Sequence, residues 1–316
     1  LESENLQEKL VMIHYHIGSQ ITEIKSVKNA MKEAARVFAK ILKSGFNLQY
    51  LNIGGGIGVD YDGSKTSFYV SHNYTLQEFT NDVVYIIQDI CRSENCKPPH
   101  IVCESGRMVA AYHAVLVTDV REVEKMGATE QDWSIEPTDH KILKDIMNSI
   151  TQMSVKNYVE FYHDALQYKD ELFTLFNLGY LEISERAKAE VLYYELCHKA
   201  LVYYKQSGKH LEEFDELEKS HIKKYLANFS IFQSIPDTIG IDQLFPVMPI
   251  TRLGERTCEN GVIMDLTCDS DGCLDRFVDK RDVKHSLHLH PLKNREPYYI
   301  AFFLVGAYQE ALGKDR

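Results

Sequence analysis

The feature that most constrains how this chain can fold is the alternation, over residues 1–108, of short apolar runs with amphipathic helical stretches. Val11 to His16, Leu48 to Ile53 and Ile101 to Glu104 read as strands. Between them, Ile24 to Gly45 places Met31, Ala34, Ala35, Phe38, Ile41 and Leu42 at helical spacing, and Thr75 to Cys91 does the same with Phe79, Val83, Ile86, Ile87 and Ile90. Thr75 followed by Glu78 predicts a capping box. This order is that of parallel strands joined by crossover helices. Each strand runs into polar or glycine residues: His16-Ile17-Gly18-Ser19, Gly54-Gly55-Gly56 and Glu104-Ser105-Gly106-Arg107. Parallel α/β folds keep their chemistry at the carboxyl ends of strands, so three such ends predict one shared site.

From Thr129 the texture changes to long charged segments rich in Tyr, Glu, Lys and Leu, with a single proline at 137, and predicts a helical insertion over residues 129–226. Glu185 to Tyr204 is its clearest helix, whose Tyr and His residues read as packing and solvated faces. Residues 227–316 return to β-branched and aromatic runs broken by Pro236, Gly240, Pro246, Pro249 and Gly254, with Val262 to Leu266 and Tyr298 to Val305 as strands of a β-rich domain. The expected organisation is therefore a partial β/α barrel over 1–128, the insertion, and a truncated β domain. The chain opens without Met and stops at Gly313-Lys314-Asp315-Arg316 just after an apolar strand, which reads as a cut at both ends.

A formal net charge of -11 provides no positive field for nucleic acid or anionic lipid. No run approaches the length of a membrane span, and Leu1 to Asn5 lack the pattern of a signal peptide. Seven cysteines without paired CxxC spacing read as reduced thiols of a cytoplasmic chain.

Several residues carry chemistry. Gly54-Gly55-Gly56-Ile57-Gly58 after a strand is either a tight turn or a phosphate cradle of backbone N–H groups. Glu104 and Arg107 are either a structural ion pair or a carboxylate for a protonated heterocyclic nitrogen beside a guanidinium for phosphate. His14 and His16 share one face of a strand, as half a metal site or as a flat imidazole under a ring. Cys268-Asp269-Ser270-Asp271-Gly272 lacks the spacing of a calcium loop, and its thiol beside carboxylates suits a proton donor. His285, His288 and His290 read as a solvated loop.

Together these segments resemble the fold-type III pyridoxal-phosphate decarboxylases, and among them most closely the arginine decarboxylases. The resemblance rests on His14 to Gln20, Gly54 to Tyr61, Glu104 to Arg107, Phe229 to Pro246, Cys268 to Gly272 and Gly306 to Glu310. It implies an alanine-racemase-type, TIM-like β/α barrel with a helical insertion and a C-terminal β domain. It also implies decarboxylation of L-arginine to agmatine for polyamine synthesis, with pyridoxal 5'-phosphate and Mg2+ as cofactors.

Position by position, His16 would stack on the cofactor ring, and Ser19, Gly54, Gly55, Gly56, Arg107 and Tyr308 would hold the phosphate. Glu104 would hydrogen-bond the pyridine nitrogen, keeping the ring a strong electron sink. Cys268 would return a proton to the carbon that has lost carbon dioxide, with Asp269 and Asp242 toward the substrate's cationic end. The Cys-Asp segment would serve the partner subunit's barrel, so the assembly would be a homodimer or a dimer of dimers, and a monomer inactive. The lysine that holds the cofactor covalently would lie upstream of Leu1, so that residues 1–316 alone would be inactive. Diaminopimelate, ornithine or lysine decarboxylation, a non-catalytic regulatory relative and a sugar-phosphate enzyme are the alternatives.

Overall fold

The computed structural model describes residue 3 and residues 6–124 and 134–313; the expected boundary at Thr129, most of the amino-terminal segment Leu1 to Asn5 and the terminal Lys314 to Arg316 lie outside the described residues. The chain divides into two compact units, one of Leu1–Arg121, Leu226–Cys258 and Ile263–Arg316, the other of Glu122–Tyr225 and Glu259–Val262.

The first unit begins with the expected partial β/α barrel. Strands β1 (Met12–His14), β2 (Tyr50–Asn52) and β3 (His100–Val102) form a parallel sheet in that order, with Met12 opposite Tyr50 and Tyr50 opposite His100. Helices α1 (Ile24–Lys43) and α2 (Leu76–Ser93) provide the crossovers. The regular strands are shorter than the apolar runs, yet pairing continues past them: Tyr15 N–H donates to Asn52 O at 3.1 Å, Ile53 to Val102 at 2.9 Å and Glu104 to Gly54 at 2.8 Å. That continuation keeps the three polar strand ends side by side.

The helical spacing resolves into a buried stripe of Val27, Met31, Ala35 and Phe38 on α1 and Val83, Ile86, Ile87 and Ile90 on α2, packed on Leu48, Leu51 and Ile53. Each of these side chains other than Ala35 contributes about 1.5–3 kcal/mol on leaving water. At the start of α2 the structure shows the Thr75 half of the capping box, Oγ1 accepting from Glu78 N–H at 3.1 Å.

The second unit is a helical bundle of α4 (Lys141–Gln152), α5 (Tyr158–Asn177), α6 (Ile183–Ser207) and α7 (Glu212–Ser220), the intervening α3 (Gly106–Ala110) belonging to the first unit. Its core joins Leu143 and Ile146 of α4, Tyr162 of α5, Leu196 and Tyr204 of α6 and Phe214 of α7. Tyr204 stacks on Phe214 with centroids 4.6 Å apart. Glu182 and Glu185 form a reciprocal capping box on α6, and Gly208 ends it with φ +65°. Tyr193, Tyr203 and Tyr204 of α6 thus serve packing.

The C-terminal part is β-rich. A seven-stranded sheet holds β4 (Val115–Glu124), β5 (Lys223–Ala227), β6 (Val247–Pro249), β7 (Glu259–Met264), β8 (Cys273–Leu274), β11 (Leu287–Leu289) and β12 (Tyr299–Phe303). Strands β9 (Phe277–Asp279) and β10 (Asp282–Lys284) form a separate hairpin. Short helices α8 (Ile231–Ser234), α9 (Asp237–Gly240) and α10 (Gln309–Leu312) flank the strands in sequence. Strand β12 pairs antiparallel with β4 and β6, and its last residues lead to Tyr308. Of the three histidines expected to be solvated, His290 is instead buried, its Nδ1 2.9 Å from Tyr298 Oη and its Nε2 3.1 Å from Glu255 O. The alternation of Leu287 to Leu289 would turn it outward, and its hydrogen bonds to Tyr298 and Glu255 beyond the strand end hold it inside instead.

The end of α2 is tied to α1 by one carboxylate. Glu94 is nearly buried and takes Arg36, Lys40 at 3.0 Å and Lys43 at 2.7 Å. The hydrogen bonds from Lys43, Lys40 and Arg36 hold its carboxyl at about 2, against an ordinary value of 4.5. A carboxyl lowered in the folded state stabilises above its unfolded pKa, and that stabilisation disappears as pH falls through the folded one. Glu94→Gln should therefore lower the thermal midpoint of the intact protein at pH 7. The gap from wild type should close between pH 4.5 and about 2, as measured by melting curves across that range.

Candidate active site

The carboxyl ends of β1, β2 and β3 meet through three glycines. A Cβ on Gly54 would overlap Tyr15 O, one on Gly55 the carbonyl of Glu104, and one on Gly56 the carbonyl of Gly18, all closer than real Cβ atoms approach. Gly54 and Gly56 also have φ of +67° and +88°, which favours glycine. The loops therefore close on one another because these side chains are missing. Two of the N–H groups expected to cradle an anion are engaged within the protein: Gly54 donates to Asn52 Oδ1 at 2.8 Å, and Gly55 to His16 Nδ1 at 3.2 Å.

The same contacts fix the two residues read as flanking a ring. His16 lies beyond the end of β1 and is oriented by Gly55. Glu104 Oε1 accepts from Asn52 Nδ2 at 2.8 Å and lies 3.9 Å from His14 Nδ1. The two histidines thus turn to different partners. Among the described residues no group of three or more His, Cys, Asp or Glu is placed to hold a metal ion, and no residue is assigned to magnesium.

Arg107, near the start of α3, is 8% exposed. Its Nη1 donates to Gln243 Oε1 at 3.1 Å and Tyr61 Oη at 3.4 Å, its Nη2 donates to Ser19 Oγ at 3.3 Å, and its Cζ lies 4.9 Å from the centroid of the Tyr308 ring. Its buried Nε has no hydrogen-bond partner. Among the described residues no carboxylate pairs with it, so the ion pair with Glu104 is not formed. A guanidinium buried among neutral groups is costly unless an anion completes it, and its forked N–H groups suit phosphate. Burial raises the Tyr61 hydroxyl above its ordinary pKa, the hydrogen bond and charge of Arg107 pull it down, and the charge of Asp237 adds to the rise.

Ser19 and Tyr308 thus join Arg107, and His16, Gly54, Gly55, Gly56 and Glu104 join one another. Among the described residues Cys268 and Asp269 join neither group. Asp265, 2% exposed, organises their loop: Oδ1 accepts from Thr267 N–H at 2.9 Å and Thr267 Oγ1 at 2.6 Å, and Oδ2 from Ile231 N–H at 2.9 Å. The Cys268 thiol is left exposed, and Asp269 Oδ1 accepts from Asp271 N–H at 3.0 Å. Among the described residues neither touches His16, Glu104 or Arg107. Asp242 is bound by Arg276 at 3.0 Å, on a cavity of about 420 Å³ also lined by Thr238, Asp271 and Asp275. Asn52, Tyr61 and Gln243 contact the candidate residues Glu104 and Arg107, and the reading of the sequence gave them no role; Asn52 announces itself only as a polar residue between Leu51 and Ile53.

Comparison with known proteins gives two family matches: residues 1–111 match the pyridoxal-binding domain of the pyridoxal-dependent decarboxylases, and residues 136–218 the helical bundle domain of arginine decarboxylase. Biosynthetic arginine decarboxylase 1 of Synechocystis sp. is 45% identical over 99% of this chain and 46% of its own length. The Deinococcus radiodurans biosynthetic arginine decarboxylase is 44% identical over 99% of this chain and 48% of its own. The crystal structure of the biosynthetic arginine decarboxylase from Campylobacter jejuni superimposes with a TM-score of 0.80 at 37% identity, over 99% of this chain and 50% of that one. Diaminopimelate decarboxylase from Helicobacter pylori, at 15% identity and a TM-score of 0.52, shares the fold. The chain spans about half the length of the curated relatives it matches.

The steric role of the glycine loop is testable. Gly55→Ala should destabilise by about 1–3 kcal/mol through overpacking, whereas Gly106→Ala, with open space at its Cβ, should be neutral or slightly stabilising in chemical denaturation.

Proposed function

The chain belongs to the pyridoxal-dependent decarboxylase family, and on that premise we propose that the intact protein decarboxylates L-arginine to agmatine with pyridoxal 5'-phosphate. The observation that carries the reading is Arg107, a buried guanidinium with an unpartnered Nε and no paired carboxylate among the described residues. The residues fit the cofactor. Arg107, Ser19 and Tyr308 would hold its phosphate, and the three glycines would let the surrounding loops close on it. His16 would stack on the ring, its orientation set by Gly55. Asn52 steadies Glu104 through Oε1, and the carboxylate would accept a hydrogen bond from the protonated ring nitrogen. When bound, the cofactor supplies an electron sink for the charge left by departing carbon dioxide.

Arginine is the substrate favoured by the match of residues 136–218 to the arginine decarboxylase bundle and by relatives 44–45% identical. Asp242 and Asp269 would meet the substrate's cationic group, and Cys268 would deliver a proton to the product carbon. The exposure of Cys268, without contact to the Arg107 cluster, supports its serving the partner subunit's barrel in a homodimer or a dimer of dimers. Seven free cysteines suit a reducing compartment, which we read as the cytoplasm. No described helix is long and apolar enough to cross a membrane. Agmatine would feed polyamine and spermidine synthesis, and magnesium would serve as a further cofactor, as the resemblance implies.

Carbon dioxide release from arginine, ornithine, lysine and diaminopimelate by the intact, pyridoxal-phosphate-loaded protein tests the reading. Arginine should be turned over selectively. Cys268→Ala should lower kcat for agmatine formation by roughly two orders of magnitude or more, as for loss of a general acid. Absence of turnover with all four substrates would overturn the proposal.

A further inference from the structure

The arms that hold Arg107 from the far end of the chain trace back to one residue. Gln243 and Tyr308 lie in different segments, one just past α9 and the other just before α10. Asp237 anchors both. Its carbonyl accepts the Gln243 N–H at 3.1 Å, which places the side chain that takes Arg107 Nη1. Its N–H and its carboxylate form a reciprocal pair with Gln309: Asp237 N–H donates to Gln309 Oε1 at 3.1 Å, and Gln309 Nε2 donates to Asp237 Oδ2 at 2.8 Å.

The pair is deeply enclosed, with Asp237 8% and Gln309 2% exposed. Gln309 Nε2 also donates to Ala307 O at 3.0 Å, bracing the residues on either side of Tyr308. Tyr308 needs such bracing, because its φ of +68° and ψ of -36° are a conformation that a non-glycine residue keeps only when its surroundings impose it. A carboxamide suits position 309 because it offers an acceptor to the Asp237 N–H and a donor to the Asp237 carboxylate at once.

We infer that Asp237 and Gln309 are positioning residues whose buried pair aims Tyr308 and Gln243 at Arg107 and so sets how tightly the phosphate of pyridoxal phosphate is held. The inference rests on Arg107 being the phosphate-binding cation. Asp237 also stands near enough to Tyr61 for its charge to act on the hydroxyl that Arg107 donates to, so Tyr61, Gln243 and Tyr308, three of the groups around the guanidinium, belong to one connected network.

The test is the dissociation constant of pyridoxal phosphate for the intact protein, by fluorescence titration of cofactor-stripped enzyme. Gln309→Glu keeps the shape but sets two carboxylates against each other; it should weaken binding roughly tenfold or more, while kcat at saturating cofactor stays near the wild-type value. The double exchange of Asp237→Asn with Gln309→Glu restores a donor facing an acceptor with the roles reversed, and should recover most of the lost affinity. Should Gln309→Glu not fold, Gln309→Met, which removes both halves of the pair, takes its place against the same criterion of weakened binding.

Wild-type affinity in the single variants, or no recovery in the double exchange, would overturn the inference. An Arg107→Gln variant separates the two levels. If it loses cofactor affinity while Gln309→Glu does not, the reading of Arg107 stands and the positioning role falls. If it binds pyridoxal phosphate as wild type does, both fall.

Discussion

A single buried guanidinium organises much of the first unit. Arg107 begins at the end of the third parallel strand, yet its contacts come from Ser19, Tyr61, Gln243 and Tyr308, which span most of the length of the chain. A cation withdrawn from water must be compensated by dipoles, ring faces or an anion. Here the protein provides the first two and leaves Nε without a partner. The barrel strand ends and the β-rich segment are thereby joined at one point, and an anion received there would complete hydrogen bonding that folding leaves unfinished.

The elements with strong periodicity were legible in the sequence. The stripes of α1 and α2 and the apolar runs of β1 to β3 appear where their spacing places them, because the burial that selects those side chains repeats locally. His16, Glu104 and Arg107 could be singled out as candidates because each lies just beyond a recognisable strand. Gln243, 136 positions from Arg107, and the pair of Asp237 with Gln309, separated by 72, were not. A hydrogen bond between distant polar side chains leaves no periodic trace in either segment. The glycine loop was legible in position but not in mechanism: two of its N–H groups are turned inward, and its size matters more than its donors.

Surface charge misleads in the same way. Arg36, Lys40 and Lys43 look like an ordinary solvated helix face, until Glu94, beyond the end of another helix, gathers all three. His290 sits among residues that read as a wet loop, yet Tyr298 and the Glu255 carbonyl hold it buried. In both cases the deciding partner lies in a segment that pairs only once the chain has folded.

The interlocked glycines divide the molecule into a part that resists change and a part that tolerates it. Where strand-end loops touch backbone to backbone, a side chain added at Gly54, Gly55 or Gly56 needs a simultaneous shift in its neighbour. The Cys268 loop and the Asp242 and Arg276 pair are comparatively open to solvent and have space around them. A scaffold built this way can acquire new recognition chemistry at its exposed rim by one substitution at a time, while a change among the interlocked loops needs two positions to move together.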